Sequence, residues 1–439
     1  YESCYVRNAH NYCAKRAPSP SSRRTSPQST QATATAVPRV PEPQVRVKRA
    51  HRGIVTCLHD KIVPLGASLV RELRCLGNDE PIEVYHCSEL APTSVALLHA
   101  IDDNIRVIDV CQQLVKSGAM DVKLARSFRS YWIKPLAIHQ SALEEIILLD
   151  ADDVLMRDPA VLRATPGYQV HGTLFFYDRV VRRTAFFNRQ HKTPDGKPQG
   201  RFLPHWLRTF DYARFNLTHA PSPRLLDSLA YHGTTCHEQD SSLLLVNKRG
   251  AATAMAVLWF LITEERFRHK FSWGDKEAFW LAYEFSHTPY FFSPWGASVV
   301  SSTSNDDMTL HPDTLCGSLA HYLPLDDGSA PELLYVNGKA LVDPVPFNAR
   351  NTKKLRANQV FNMLPTHVVP RQVRASVARP EQGREYLECL TGLGAVPVPP
   401  ALHARLWRRR LHFMALSMNL LEPLRSCGGA DDPLIETRR

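Results

Sequence analysis

The sequence of 439 residues lacks any apolar run as long as the roughly 18 residues that a membrane-spanning helix requires. Its most apolar stretch, residues 251–263, is shorter than that, and we expect it to form a buried helix. None of the ten cysteines forms a CxxC pair, which disfavours a zinc ribbon or a thioredoxin-like site. The number of cysteines permits disulfides without identifying their partners.

The chain also lacks a basic central region, although its formal net charge is +10. Residues 1–50 carry a net charge of +7 and residues 350–439 carry +8, whereas residues 51–349 carry −5. A nucleic-acid-binding domain concentrates positive charge on its folded surface. The charge pattern therefore gives no support for a basic groove or for nucleic acid as a partner.

Composition divides the chain into three predicted parts. Residues 1–50 are predicted to be a disordered stalk or linker, because residues 17–50 are rich in Pro, Ser, Thr and Arg and nearly devoid of large apolar side chains. Residues 51–349 are predicted to form the catalytic domain. Residues 350–439 are predicted to be a basic, partly helical extension. Its helix, over 402–421, would pack on the domain or contact a membrane surface or a partner.

The central part alternates strand-like and helix-like patterns. Apolar or alternating runs predict strands over residues 53–58, 82–86, 105–110, 145–149 and 169–177. Leucines at helical spacing predict a helix that begins near Leu65, and a second helix is predicted near residues 126–141. This alternation predicts an α/β fold with a mainly parallel sheet flanked by helices. In such sheets the ligand site lies outside the carboxyl ends of the strands.

Carboxylates follow directly on the most apolar of these strands. After Leu149 the chain reads Asp150-Ala151-Asp152-Asp153, so a buried strand delivers acids to the edge of the sheet where such folds place their chemistry. Oxygen donors of this kind suit Mg²⁺ or Mn²⁺, with coordination positions left for water and phosphate. Asp150 and Asp152 are therefore predicted to hold a divalent cation. A solvated acidic turn is the alternative.

Two chemistries fit this segment. In glycosyl transfer, Asp150 and Asp152 would hold a metal and a nucleotide sugar. In a haloacid-dehalogenase-type phosphatase, Asp150 would attack phosphorus and Asp152 would act as general acid. The phosphatase also needs a later acidic pair after an apolar strand, and its best match, Gly274-Asp275, follows a segment that is not apolar. In such a phosphatase the nucleophile loop also lies at the start of the domain, whereas here about a hundred residues of α/β pattern precede Asp150. We therefore favour the transferase.

Several segments, taken in order, resemble the α-1,3-mannosyltransferase family typified by fungal Golgi enzymes, with a more distant likeness to glycogenin-type transferases. The matching segments are 52–56, 73–77 with 81–84, 134–152, Asp240-Ser241-Ser242 with Lys248, Gly274-Asp275-Lys276-Glu277 and His321-Tyr322. They span about residues 52–340. The resemblance implies a GT-A fold, a nucleotide-sugar donor (GDP-mannose in the family), a Mn²⁺-type metal and transfer with retention of configuration to a glycan or glycoprotein acceptor.

The resemblance also implies a Golgi location, with a lumenal catalytic domain and a type II membrane anchor that is absent from this sequence. The Pro/Ser-rich stretch resembles the stalk of such a protein. A non-catalytic glycan-binding relative with the same fold is the third hypothesis. The retained acidic motifs disfavour it.

Site residues follow from the resemblance one at a time. Asp150 and Asp152 match the D-x-D metal ligands, and His321 looks like the third ligand of related transferases. Asp240 stands where the family has Glu in an E-S-G pattern, with Ser242 in place of the glycine, and is predicted to be catalytic by holding sugar hydroxyls or helping to deprotonate the acceptor. The shorter acid and the lost glycine bear on which sugar the pocket accepts.

The remaining predicted residues contact the donor. Asp275 and Lys276 match the family's G-D-K pattern, which implies a catalytic or sugar-holding carboxylate and an ammonium near the phosphates. A helix cap is the alternative for this pair. Lys134 is predicted to reach the diphosphate, and Thr56 and Asp60, after the first strand, are predicted to contact the nucleotide.

Overall fold

The computed structural model describes residues 51–301, 313–343, 364–375 and 389–421, together with residues 424 and 427. All of them belong to one compact unit, Arg49–Arg439. The predicted stalk, residues 1–50, lies outside the described residues.

A six-stranded central sheet organises this unit. Its strands are β1 Arg52–Cys57, β2 Ile82–His86, β3 Ile105–Asp109, β4 Glu145–Leu149, β6 Thr173–Tyr177 and β9 Gln239–Asn247. The order is β3-β2-β1-β4-β9-β6, and the pairs β3-β2, β2-β1 and β1-β4 are parallel. Only β9 runs against its neighbours β4 and β6. The predicted α/β fold with a mainly parallel sheet, the architecture expected of GT-A transferases, is confirmed.

The continuous apolar runs of the sequence reflect burial on both faces of this sheet. Along β4, Ile146 and Leu148 enter one hydrophobic core, whereas Ile147 and Leu149 enter the core on the opposite face. Successive side chains of a strand point to opposite faces, so a strand covered on both sides must be apolar throughout. β4 is therefore rigidly held up to its last residue, immediately before the acidic turn.

Helices cover both faces. The helices are α1 Val63–Cys75, α2 Pro92–Ile101, α3 Val110–Lys116, α4 Val122–Arg126, α5 Ile133–Gln140, α6 Pro166–His171, α7 Phe202–Thr209, α8 Pro223–Leu226, α9 Ala252–Phe260, α10 Arg266–Arg268, α11 Ala278–Phe285, α12 Lys339–Val342 and α13 Pro400–Ser417. Shorter 3-10 turns lie at Asp60–Ile62, Ser130–Trp132, Pro159–Ala164, Phe186–Asn188 and Tyr212–Phe215, and a π-helical turn at Leu261–Glu265 continues α9.

The strand predicted over 169–177 is wrong at its beginning. Residues up to His171 belong to α6, which ends at Gly172 in the left-handed conformation (φ 68°), and β6 begins only at Thr173. Glycine adopts this conformation without steric cost, so it terminates the helix and starts the strand within one residue.

A second, antiparallel sheet lies beyond the carboxyl edge of the first. It has the order β16-β14-β10-β12-β13-β5, and its strands are β5 Asp153–Leu155, β10 Ser298–Ser301, β12 Ser318–Tyr322, β13 Leu333–Asn337, β14 His367–Val368 and β16 Val396–Pro397. Two small pairs complete the strands: β7 Gln190–Lys192 with β8 Pro198–Arg201, and β11 Leu315–Cys316 with β15 Cys389–Leu390. Because β5 begins in the acidic turn itself, that turn joins the two sheets.

Residues 364–375 and 389–421, which fall within the predicted C-terminal extension, take part in the same unit. β14 and β16 extend the second sheet, and α13 packs along α1. Three disulfides join described cysteines: Cys75–Cys427, Cys87–Cys111 and Cys316–Cys389. None of the helices among the described residues combines the length and the apolarity needed to cross a bilayer.

Candidate active site

Three acids meet at the carboxyl edge of the central sheet. Asp150 follows β4, Asp178 follows β6, and Asp240 lies near the start of the reversed strand β9. The register pairs Leu149 with Leu243 and Phe176 with Asp240, so the reversed strand brings its first residues to the edge where its neighbours end. The topology therefore gathers carboxylates from three separate segments.

Lys134, in the first turn of α5, supplies positive charge to this edge. Its buried ammonium lies 2.6 Å from Asp150 Oδ1 and 3.6 Å from Asp275 Oδ2, and it donates to the carbonyl of Ser241 at 3.3 Å. Burial opposes the charge, but the two carboxylates hold the pKa of Lys134 above its usual value. A cation fixed between two acids at a strand end is well placed to meet a diphosphate. Of the two residues predicted from the sequence, Lys134 contacts Asp150 directly, and Asp275 lies on the other side of the Lys134 ammonium.

The acidic turn carries more negative charge than its surroundings neutralise. Burial, with repulsion from Asp152, raises the pKa of Asp150 to about 7 despite Lys134. Burial also raises the pKa of Asp152, and burial plus repulsion from both acids raises that of Asp153. Asn337 of β13 donates to Asp152 Oδ1 at 3.2 Å and to Asp153 Oδ1 at 3.0 Å. The second sheet thereby orients both carboxylates.

Asp153 shapes the turn, although the sequence suggested no separate role for it. Its carboxylate is fully buried, and its Oδ2 accepts a hydrogen bond from the backbone N–H of Asp150 at 3.0 Å. The side chain of Asp150 remains one quarter exposed. Asp153 is therefore the internal support of the turn, whereas Asp150 faces outward.

Arg409 of α13, which is distant in the sequence, supports the same turn. Its guanidinium is completely buried and donates to the carbonyl of Ala151 at 2.7 Å and to Ser68 Oγ at 2.8 Å. Burial lowers the pKa of Arg409 to about 10, which still leaves it cationic at neutral pH. The residue between the two predicted metal ligands is thus held by a side chain 258 positions away.

Asp240 and His321 form a buried pair. The Nε2–H of His321 donates to Asp240 Oδ2 at 2.9 Å, and Ser242 Oγ donates to the same oxygen at 2.7 Å. Burial opposes ionisation of Asp240, but the hydrogen bond from His321 holds its pKa below the usual value. The His321 ring stacks on Tyr335, whose hydroxyl lies 3.1 Å from Ser242 Oγ. The serine that replaces the family's glycine therefore orients the Asp240 carboxylate.

Lys276 has a partner that the sequence analysis did not name. Its ammonium forms an ion pair with Asp178, whose pKa is held well below its usual range, against the effect of burial, by Lys276 and His237. The neighbouring Glu277 accepts hydrogen bonds from the backbone N–H of Glu238 at 3.0 Å and from the indole of Trp280 at 2.6 Å. Burial raises the pKa of Glu277 to about 8. The G-D-K segment is thus anchored to β6 and β9 before α11 begins.

The two predicted nucleotide contacts differ in environment. Thr56, at the end of β1, is buried, and its Oγ1 has no hydrogen-bond partner among the described residues. Asp60 accepts hydrogen bonds from the backbone of Ala91 at 2.9 Å and from Ser94 Oγ at 2.7 Å. Asp60 therefore fixes the loop before α2, and its nucleotide role stays a prediction.

The metal assignment also stays a prediction. Within the described residues, no group of three or more His, Cys, Asp or Glu side chains is arranged to hold a metal ion. His321 is paired with Asp240, and its role as the third metal ligand stays a prediction. The donor chemistry nevertheless fits at Asp150 and Asp152, because both are partly accessible oxygen donors whose pKa values are raised chiefly by burial.

Comparison with known proteins identifies the family. A family model described as mannosyltransferase (Mannosyl_trans3) matches residues 51–322, more than half of the chain. The chain belongs to this mannosyltransferase family. The predicted resemblance is confirmed. The match covers β4, which Asp150 follows, and β9, which contains Asp240.

Among relatives of this mannosyltransferase family member are three Saccharomyces cerevisiae proteins. The probable alpha-1,3-mannosyltransferase MNT4 is 28% identical and aligns with 63% of this chain and 48% of its own length. The alpha-1,3-mannosyltransferases MNT3 and MNN1 are 24% and 26% identical, over 58% and 54% of this chain and 42% and 33% of their own lengths. The mannosyltransferase family chain thus spans between a third and a half of these relatives.

Solved structures similar to this mannosyltransferase family member include glycosyltransferases. Core-mannan synthase A from Aspergillus fumigatus, in a Mn/GDP form, is 8% identical over 55% of this chain and 71% of that chain, with a TM-score of 0.35. The galactosyltransferase LgtC, with donor and acceptor sugar analogues, is 11% identical over 70% of this chain and 93% of that chain, with a TM-score of 0.34. Both TM-scores are too low for these likenesses to carry a functional argument.

Proposed function

We propose that this protein transfers mannose from GDP-mannose to a hydroxyl of a glycan or glycoprotein, forming an α-1,3 linkage with retention of configuration. The carrying observation is the contact of Lys134 with Asp150 and Asp275 at the end of β4, within a member of a mannosyltransferase family. The names of its relatives support the sugar and the linkage. The family assignment favours this reaction over the phosphatase and the non-catalytic alternatives.

In this proposal Asp150 and Asp152 hold Mn²⁺ or Mg²⁺. When bound, the cation would neutralise the diphosphate and the charge that develops on it as the sugar–phosphate bond breaks. Arg409 and Asn337 keep the turn in position for this through hydrogen bonds within the protein. Preorganised groups stabilise developing charge without reorganisation at the moment of reaction.

The remaining charged residues differ in exposure, and the side chains of Lys276 and Lys134 are 26% and 11% exposed. Asp240 and Asp275 are only 3% and 1% exposed, so in this structure both act beneath the surface of the site. Asp275 holds Lys134, and Asp240 is held by His321 and Ser242. We propose that Lys134 meets the diphosphate and that Asp240 sets the polarity of the sugar pocket. Direct contact of Asp240 or Asp275 with a sugar hydroxyl stays a prediction.

A donor panel tests the proposal. Purified protein is assayed with nucleotide sugars and Mn²⁺ for hydrolysis and for transfer to a mannoside acceptor, with Asp152→Asn beside the wild type and the exposed Asp227→Asn as charge-matched control. We expect activity with GDP-mannose that Asp152→Asn abolishes and Asp227→Asn retains. Full activity of Asp152→Asn would refute the metal site, and phosphatase activity alone would support the rival chemistry.

We further propose that the protein works in the Golgi lumen. Three disulfides among the described cysteines are typical of oxidising compartments and uncommon in the cytosol. Fractionation of native cells should recover the protein with Golgi membranes and with Cys75–Cys427 oxidised. Recovery of the native protein in the cytosolic fraction with free thiols would contradict this location.

A further inference from the structure

A cleft beside the active site is lined by positive charge. Its volume is about 460 Å³, within the range of small-molecule sites, and its lining includes Arg182, Arg183 and Arg201. No carboxylate occurs among the described residues that line it. Three guanidinium groups around one cleft favour an anion, since the planar guanidinium matches the oxygens of phosphate in a bidentate manner.

One of these arginines sits in a fitted position. A Cβ at Gly233 would lie 2.0 Å from Arg201 Nη1, so only glycine leaves room for the guanidinium there. Gly233 has φ +77°, a conformation that glycine adopts without strain. The guanidinium therefore rests directly on the backbone at the wall of the cleft.

The cleft is also connected to the site described above. The loop that bears Arg182 and Arg183 begins at Asp178, the partner of Lys276. Arg183 lies over the ring of Trp273, 5.9 Å from its centroid, and Trp273 directly precedes the Gly274-Asp275-Lys276 segment. A ligand bound in the cleft would therefore lie next to the residues proposed to handle the sugar.

The lining contains a second polar feature. Asn188 Oδ1 is buried and has no hydrogen-bond partner among the described residues. That oxygen is closed off from the cleft, but the hydroxyl and amide groups of Thr184, Gln190 and Thr234 line the cleft and can exchange hydrogen bonds with a sugar. Guanidinium groups for an anion, next to an acceptor for a hydroxyl, suit a phosphorylated sugar better than a free inorganic anion.

We propose that this cleft binds a phosphate-bearing sugar unit of the acceptor, so that the enzyme prefers phosphorylated glycans. The proposal deepens the transferase function above and rests on it for the word acceptor. The same chemistry could also come from the diphosphate of the donor, and the experiment separates the two sources.

Binding of mannose 6-phosphate and of mannose is measured by calorimetry on the full chain. Arg183→Gln/Arg201→Gln is the test variant, and Lys116→Gln/Lys123→Gln removes two exposed charges elsewhere as the control. We expect mannose 6-phosphate to bind the wild type more tightly than mannose does, and its affinity to fall as the salt concentration rises. The arginine variant should bind mannose 6-phosphate about tenfold more weakly than the wild type or worse, whereas the lysine variant should bind it as the wild type does. No binding of mannose 6-phosphate, or equal binding by both variants, would overturn the proposal.

Two further arms complete the test. Gly233→Ala keeps every charge but displaces Arg201, so it should weaken binding of the phosphorylated sugar; because φ at this position is +77°, it should also lower the temperature of thermal unfolding by a few degrees. Saturating GDP should leave the binding unchanged, and displacement by GDP would overturn the proposal by assigning the cleft to the donor. If the wild type fails the donor panel yet binds mannose 6-phosphate through these arginines, the transferase function fails and the anion site stands.

Discussion

Arg409→Met tests whether the C-terminal helix holds the acidic turn. The substitution keeps an unbranched apolar side chain of similar reach but removes the donors to Ala151 O at 2.7 Å and Ser68 Oγ at 2.8 Å. Leaving a buried carbonyl without a donor costs about 1–3 kcal/mol, and the lost bonds from a charged group are worth about 1.5–3 kcal/mol each. Relief of the desolvation of a buried cation offsets part of this. We expect a net loss of about 2–4 kcal/mol of unfolding free energy.

The assay has two readouts. Urea unfolding followed by tryptophan fluorescence gives the stability, and calorimetric titration with GDP and Mn²⁺ gives the affinity of the acidic turn, which should fall about tenfold or more. Arg405→Met is the matched control, because Arg405 lies on the same helix, comes no closer to Glu72 than 3.9 Å and is partly exposed. This substitution should lower the unfolding free energy by less than about 1 kcal/mol. If Arg409→Met is as stable as the wild type and binds equally well, the desolvation cost dominates and Arg409 does not position the turn.

Two other substitutions test the charge and the covalent framework of the fold. Lys134→Met should lower the rate of transfer by about 100-fold or more, because it removes the cation that contacts Asp150. The control, Lys123→Met, replaces an exposed lysine and should leave the rate unchanged. Equal rates in the two variants would contradict the role given to Lys134. Replacing both Cys75 and Cys427 by Ser opens a loop of 352 residues and should lower the unfolding free energy by about 2–4 kcal/mol in urea titrations under oxidising conditions. A double variant as stable as the wild type would show that packing of α13 on α1 suffices.

The strand-end residues of the site could be predicted because their cause is local. A run of apolar residues that ends in Asp150 and Asp152 indicates both the buried strand and the edge where it stops. The same reasoning applies to Asp178, which follows β6 directly, but Asp178 is a single acid outside any D-x-D pattern and so is not distinguished by its sequence. The beginning of that strand was predicted wrongly, since the apolar residues of α6 and β6 run together and only Gly172 separates them.

The pairing of site residues could not be predicted, because it depends on contacts between distant segments. The resemblance implies that His321 is a metal ligand, but only the structure shows that it pairs with Asp240 from the second sheet. The resemblance aligned Ser242 with a glycine, but only the fold shows that its hydroxyl holds Asp240. Arg409 gave no separate signal, since it is the middle one of three consecutive arginines, and such a basic cluster is usually solvated. Periodicity reports burial, and it does not report which buried polar groups meet.

The active site therefore extends beyond the family match. The match ends at residue 322, yet Asn337 orients Asp152, Tyr335 stacks on His321, and Arg409 holds Ala151. Each of these contacts is internal to the site, and each replaces a hydrogen bond or a packing surface that water would otherwise provide. A fragment that stops at residue 322 would keep every predicted acid but lose the groups that fix their orientation. Since the acids of this turn repel one another and these contacts hold the turn in place, we expect any fragment that keeps the geometry of the acidic turn to reach at least into α13.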